Sequence, residues 1–121
     1  SDNPEIRIAA LTALAEQVHS GTNEHAKELL IRALKDDSSE VRAESATIVG
    51  KTLEPEDIIN ELCQLLKDQN AQVRKNTALA LMKMEALESI NQLNEAFSLE
   101  KDDQVKAVFK VALNQLVKLK Q

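Results

Sequence analysis

A chain of 121 residues is long enough to bury one core of ordinary size. Its net charge of −5 speaks against a nucleic-acid partner, since that affinity rests on neutralising phosphates with Lys and Arg, and no apolar run reaches the roughly 18–20 residues of a membrane span. The apolar fraction is 43% with only 2% aromatic (Phe97 and Phe109), and two glycines with two prolines cannot turn a β-sandwich or barrel, so the class is all-α.

The elements, taken in order, are seven helices with boundaries at about these positions. Asn3 ahead of Pro4 is an N-cap before a proline at the first helical position, where the missing N–H costs nothing, and the first helix runs over about 4–19. Gly21-Thr22 opens a second, about 23–35, with a buried stripe of Leu29, Leu30, Ala33 and Leu34. Ser38 caps a third, about 39–52, and Pro55 after Glu54 opens a fourth, about 55–67, striped by Ile58, Ile59, Leu62, Leu65 and Leu66. Asn70 caps a fifth, about 71–84. Residues 84–87 lack Gly and Pro, yet the pattern resumes at Leu87, Ile90, Leu93 and Phe97, so they read as a tight turn before a sixth helix over about 87–98. Asp102 or Asp103 caps the last, about 103–119.

Four stretches among these helices align without gaps: residues 6–14, 41–49, 73–81 and 105–113. Each opens on a β-branched residue and a base (Ile6-Arg7, Val41-Arg42, Val73-Arg74, Val105-Lys106) and closes on an aliphatic one (Leu14, Val49, Leu81, Leu113). Three carry a small residue in between (Ala10, Ser45, Thr77). The openings recur at 35, 32 and 32 residues, a repeat period with the partner helices set between. The expected architecture is an α-solenoid of antiparallel helix pairs, three full repeats after a leading half repeat, forming one domain over residues 1–121.

An aspartate, four residues, Val-Arg, small and aliphatic positions and a nearby glycine make up the pattern of Asp36 to Arg42 with Gly50, and Asp68 to Arg74 follows it closely. In this the chain resembles the short HEAT-like repeats of the phycobilisome lyase type. The fourth copy departs, with Glu100 and Lys106 for Asp and Arg and with Phe109 at the small position, and the first copy lacks the aspartate. The resemblance implies a repeat architecture that serves scaffolds, adaptors, transport receptors and enzyme accessories alike.

The row Arg7, Arg42, Arg74, Lys106 could grip phosphates or acidic peptides. The structural reading is preferred, because Asp36 and Asp68 stand six residues before Arg42 and Arg74, where they can accept from backbone N–H groups and from arginines of their own or a neighbouring repeat. His19 and His25 with Glu24 and Glu28 are a weak start for a metal, and solvated loop histidines are the plainer reading. Cys63, alone and without a base in an equivalent repeat position, reads as an inert, partly buried thiol. Carboxylates such as Glu54, Glu56 and Asp57 sit at a helix start, where they offset the macrodipole. No catalytic, cofactor or metal site is therefore expected, and the chain reads as a non-enzyme.

What remains is surface. The resemblance puts the second helix of each repeat on the concave side, with Ala9, Thr12 and Glu16, then Glu44, Thr47 and Lys51, then Asn76, Leu79 and Lys83, then Val108, Val111 and Gln115 facing out. The expected function is a cytoplasmic protein-protein interaction scaffold; the alternative, carried by the resemblance alone, is an accessory subunit of a bilin (tetrapyrrole) lyase-type enzyme. The expected partner is another protein, with no nucleic acid and no membrane. Ile8 and Leu11 flank the buried stripe of the first helix, and Val108, Phe109, Val111, Leu116 and Leu119 make the last helix apolar on several sides. These ends suggest a module of a longer array, or self-association through an end helix.

Overall fold

The odd-numbered helices begin where a short polar side chain can take a backbone N–H that the first turn leaves unpaired. In the computed structural model, which describes residues 2–19 and 24–121, Asn3 Oδ1 accepts from Glu5 N at 2.8 Å at the head of α1 (Pro4–His19). Ser38 Oγ accepts from Val41 N at 3.4 Å before α3 (Ser39–Thr52), and Asn70 Oδ1 from Val73 N at 3.1 Å before α5 (Ala71–Lys83). Of the two candidates for α7 (Asp103–Lys120), Asp102 is the cap, accepting from Gln104 N and Val105 N. Pro55 occupies the first position of α4 (Pro55–Leu65). The second helix is followed from Glu24 as α2 (Glu24–Ala33); its expected opening at Gly21-Thr22 lies outside the described residues.

Two helices stop earlier than their apolar pattern suggests, and for the same reason. After α2 the N–H groups of Leu34, Lys35 and Asp36 bond three residues back, and after α4 those of Leu66, Lys67 and Asp68 do likewise, tightening each end into a turn that presents an aspartate. The turn at residues 84–87 is real and sharper than expected. Ala86 N–H reaches Leu81 O and Glu85 N–H reaches Met82 O, both at 3.0 Å, with Glu85 in the left-handed region at φ 56. That conformation costs a non-glycine residue about 1–2 kcal/mol. A short 3₁₀ turn (Leu87–Ser89) then leads into α6 (Ile90–Leu99). Among the described residues there is no strand; the architecture is an all-α solenoid.

The odd helices α1, α3, α5 and α7 stack directly on one another, whereas the even helices touch their hairpin partners and barely one another. The odd helices thereby make the close-packed layer. Small residues permit the approach: Ala43, Ala46 and Gly50 on α3 and Thr77, Ala78 and Ala80 on α5 are all buried. A Cβ on Gly50 would lie 2.8 Å from Ala80 Cβ and 3.0 Å from its Cα. Ser45 and Thr77 hydroxyls donate back to Val41 O and Val73 O, which lets a polar residue occupy a position with no exposure at all.

Between these small-residue contacts runs a series of forks. Arg7 Nε and Nη2 donate to Asp36 Oδ2 and Oδ1, both at 2.9 Å. Arg42 grips Asp68 at 2.9 and 3.2 Å, and Arg74 grips Glu100 at 2.8 and 2.9 Å. Each arginine thus holds the carboxylate of the following repeat. Nη1 of Arg42 meanwhile donates to Asp36 O and Asp37 O, and Nη1 of Arg74 to Asp68 O, the turns of their own repeats. Each carboxylate also accepts a backbone N–H two residues on, from Ser38, Asn70 and Asp102. Glu100 therefore does in the fourth copy what aspartate does in the others. Lys106 has no such fork; its ammonium sits 5.6 Å from the centroid of the Phe97 ring.

The last helix corrects an expectation. Phe109 and Leu116 have no exposure and Val108 is half-buried, so of the residues read as an apolar excess only Val111 and Leu119 stand open, joined by Val117. An 18-residue helix has an inner face wider than its sequence spacing suggested, because α5 and α6 both close on it.

Two outcomes follow from this packing. The Arg7 hydrogen bond holds the Asp36 carboxyl below its usual range against the opposing effect of burial. Burial pushes Glu100 up, but the Arg74 fork and the Asp102 N–H together outweigh it and leave that carboxyl lowered too. Folded values below unfolded ones mean a contribution complete above about pH 4.3 and lost as pH falls through the lower folded values. The denaturant midpoint should be level from about pH 7 to 5 and fall below about pH 4, and Glu100→Gln should remove part of that fall while lowering the neutral midpoint. A midpoint unchanged down to about pH 3 would contradict both pairings. Gly50→Ala should destabilise by about 1–3 kcal/mol through overpacking against Ala80, against a helix-propensity gain of at most about 1 kcal/mol; a raised melting midpoint would show that the layer can open at little cost.

Candidate functional site

Because the odd helices repeat in register, the positions expected on the concave side form three rows across the odd-helix layer. One row runs Ala9, Glu44, Asn76, Val108; the next Thr12, Thr47, Leu79, Val111; the third Glu16, Lys51, Lys83, Gln115. Glu16, Glu44, Lys51, Lys83 and Thr12 are exposed, as are Leu79 (41%) and Val111 (50%). Three members are half-buried. Asn76 Nδ2 donates to Ala43 O at 3.0 Å while its Oδ1 accepts from Gln72, Thr47 Oγ1 donates to Ala43 O at 3.4 Å, and Val108 packs on the core. Asn76 therefore ties α5 to α3 and offers less to a ligand than its row neighbours. The middle row changes from hydroxyls to aliphatics toward α7, and the third runs from a carboxylate through two ammoniums to an amide.

Of the ladder residues Arg42 and Asp68 form a fork with each other, Asp36 forks with Arg7 and Arg74 with Glu100, and Lys106 is brought to an aromatic ring instead. Guanidiniums saturated by carboxylate and carbonyl oxygens have little left to offer an external phosphate.

Cys63 lies half-buried in a shallow recess of about 280 Å³ lined by Gln64, Leu66, Lys67, Gln92 and Glu95. Burial pushes its thiol pKa up, away from the thiolate that nucleophilic chemistry needs. His19 and His25 are both exposed, and among the described residues no three His, Cys, Asp or Glu side chains converge on a common point. No helix among them is long and apolar enough to cross a membrane.

One feature escaped the sequence reading. A groove of about 560 Å³ runs between α1 and α2, floored by Ala10, Leu11, Leu14, Leu29, Ala33 and Val41 and rimmed by Asp2, Arg7, Arg32, Lys35, Asp36 and Asp37. Its floor residues are spread over three helices, so no single stretch of sequence marks it.

Comparison with known proteins adds two findings. The bilin biosynthesis protein MpeU of Synechococcus sp. (strain WH8020) is 58% identical over 118 residues, 98% of this chain and 40% of that protein. The chain thus spans two-fifths of the length of this relative. The likeness overturns the expectation of a non-enzyme, because a protein sharing most of this sequence is named for making a bilin. The sequence holds no catalytic triad and no metal-ligand spacing, so none of its residues pointed by its chemistry to such a relative. The HEAT repeats family matches residues 1–59 and 26–114, and these two stretches together span nearly the whole chain. With its paired helices, small-residue stacking and inter-repeat arginine forks, this chain belongs to the HEAT-repeat family.

Proposed function

We propose that the chain is the HEAT-repeat part of a protein that acts in bilin biosynthesis, as an enzyme or an enzyme's accessory subunit, and that its concave rows hold the linear tetrapyrrole. The observation that carries this reading is the 58% identity to a protein named for bilin biosynthesis. The chemistry of the rows supports it. A bilin is an elongated conjugated body with two propionate side chains, so it asks for apolar contact flanked by cations at fixed spacing. Leu79 and Lys83 share one helix face a turn apart, Lys51 stands in the same row on the neighbouring helix, and Val111 extends the apolar side. Neither Lys51 nor Lys83 has an ion-pair partner among the described residues.

A second reading, contact with a protein, is favoured by the same exposed Leu79 and Val111, since aliphatic spots with a polar rim also suit a protein interface. Titration with biliverdin separates the two. A bound, rigidified tetrapyrrole should gain red absorbance and induced circular dichroism, and the double change Lys51→Glu, Lys83→Glu should weaken binding about tenfold or more without moving the melting midpoint, because both side chains are exposed. Identical spectra with native and heat-unfolded chain, or affinity indifferent to the double change, would remove the pigment from these rows.

A further inference from the structure

The side of α3 that meets the next odd helix is marked by two small residues: Ala43 O accepts from Asn76 of α5, and Gly50 lies against Ala80. Ala43 is buried there. In the repeat register the place of Ala43 on α5 is taken by Lys75, and the place of Asn76 on α7 by Val108. A lysine thus stands at the α5–α7 seam where an alanine closes the α3–α5 seam, and α5 packs less extensively on α7 than on α3. Lys75 is half-buried and has no ion-pair partner among the described residues. Packing alone gives no reason for a charge at this place, since Ala43 and Ala107 fill it on the neighbouring helices. The positions around it divide by charge. On α1 and α3 the rows, with the residue just before each opening residue, expose Glu5, Glu16, Glu40 and Glu44 against the one ammonium of Lys51. On α5 and α7 the same positions hold no carboxylate, only amides, aliphatic side chains and Lys83.

We infer that Lys75 is a second acid anchor on this face, so that an elongated apolar molecule bearing two carboxylates lies along the α5–α7 seam. One carboxylate meets Lys75, the other meets Lys83, and Leu79 and Val111 lie against the body between them. The inference rests on the proposed bilin reading, whose ligand carries two propionates, and names the residue that holds the second. Lys75, Leu79 and Lys83 follow one another a turn apart on one side of α5. The two lysines are separated by roughly 12 Å along the helix axis. Flexible four-carbon stems let both ammoniums close on acid groups set nearer together than that. Exposed aliphatic area between the cations, with Leu79 at 41% and Val111 at 50%, matches an apolar body. Charge decides which half of the face is used: the glutamates of α1 and α3 repel a dianion, and the carboxylate-free α5–α7 half attracts it.

Biliverdin and its dimethyl ester, which differ only in the two acid groups, test this on the intact chain. The free acid should bind about tenfold or more tightly than the ester. Lys75→Gln should weaken the free acid about fivefold or more and leave the ester unchanged, so that the acid-to-ester ratio falls. Lys110→Gln, which removes an exposed lysine of α7 outside the rows, should leave the ratio as it was. The ratio is the reading that matters, because lost packing at the half-buried Lys75 would weaken both ligands alike. A ratio near one in the original chain, or a ratio that Lys75→Gln leaves unchanged while biliverdin still binds, would overturn the anchor without removing the pigment from the rows. An equal fall with Lys110→Gln would overturn it too, reducing the effect to net charge. Binding of neither pigment would overturn the inference together with the reading on which it rests.

Discussion

The interaction on which this solenoid depends is the guanidinium shared between two repeats. One edge of Arg42 or Arg74 lies against the carboxylate of the following repeat, and the remaining nitrogen against the carbonyl at the turn of its own. Apolar burial drives the helices together but is indifferent to small slides of one helix along another. A planar fork is not, because two parallel hydrogen bonds fail together when the helices shift. The side chains involved are well shielded, Asp68 at 10% exposure and Glu100 at 4%, so their bonds are only weakly screened by solvent and salt. Stacked Ala, Ser, Thr and Gly positions then bring the odd helices close enough for the forks to reach.

Register fixed in this way is what turns separate helices into a surface. Because every odd helix is held at the same height, the residues three, six and ten positions after each opening residue fall into rows, and substitutions along a row grade its chemistry. The rows here pass from Thr and Glu on α1 to Leu79, Lys83 and Val111 toward α7. An elongated ligand spanning several repeats would meet all of them at once.

Much of this was legible in the linear sequence. Val-Arg pairs at a period near 32 located the odd helices, and Ser38, Asn70 and Pro55 located their starts, because caps act through local hydrogen bonds that a few residues determine. The direction of the forks was not legible: an aspartate six residues before an arginine invites a local pair, and only the stacking shows that the side chains reach across to the next repeat. Phe109 looked like an exposed anomaly at a small position, yet it is fully buried, because α5 and α6 both close on that helix. The left-handed Glu85 was equally silent, as no glycine marked the turn. The groove with Arg32 and Lys35 lay hidden in a helix that carried no functional pattern of its own. The link to bilin biosynthesis was the largest gap, since no residue pattern carries it and it rests on likeness to a relative.

The central claim is that the arginine forks, and not apolar contact alone, couple one repeat to the next. A double-mutant cycle in denaturant melts on Arg42→Ala and Asp68→Ala tests it most directly, since each single change also breaks bonds to turn carbonyls or backbone N–H groups and only the coupling isolates the fork. The account predicts a coupling energy of about 1.5–3 kcal/mol, the range of a shielded, charge-assisted pair. Single-mutant losses that simply add, with a coupling of about 0.3 kcal/mol or less, would show the forks to be passengers on the small-residue packing.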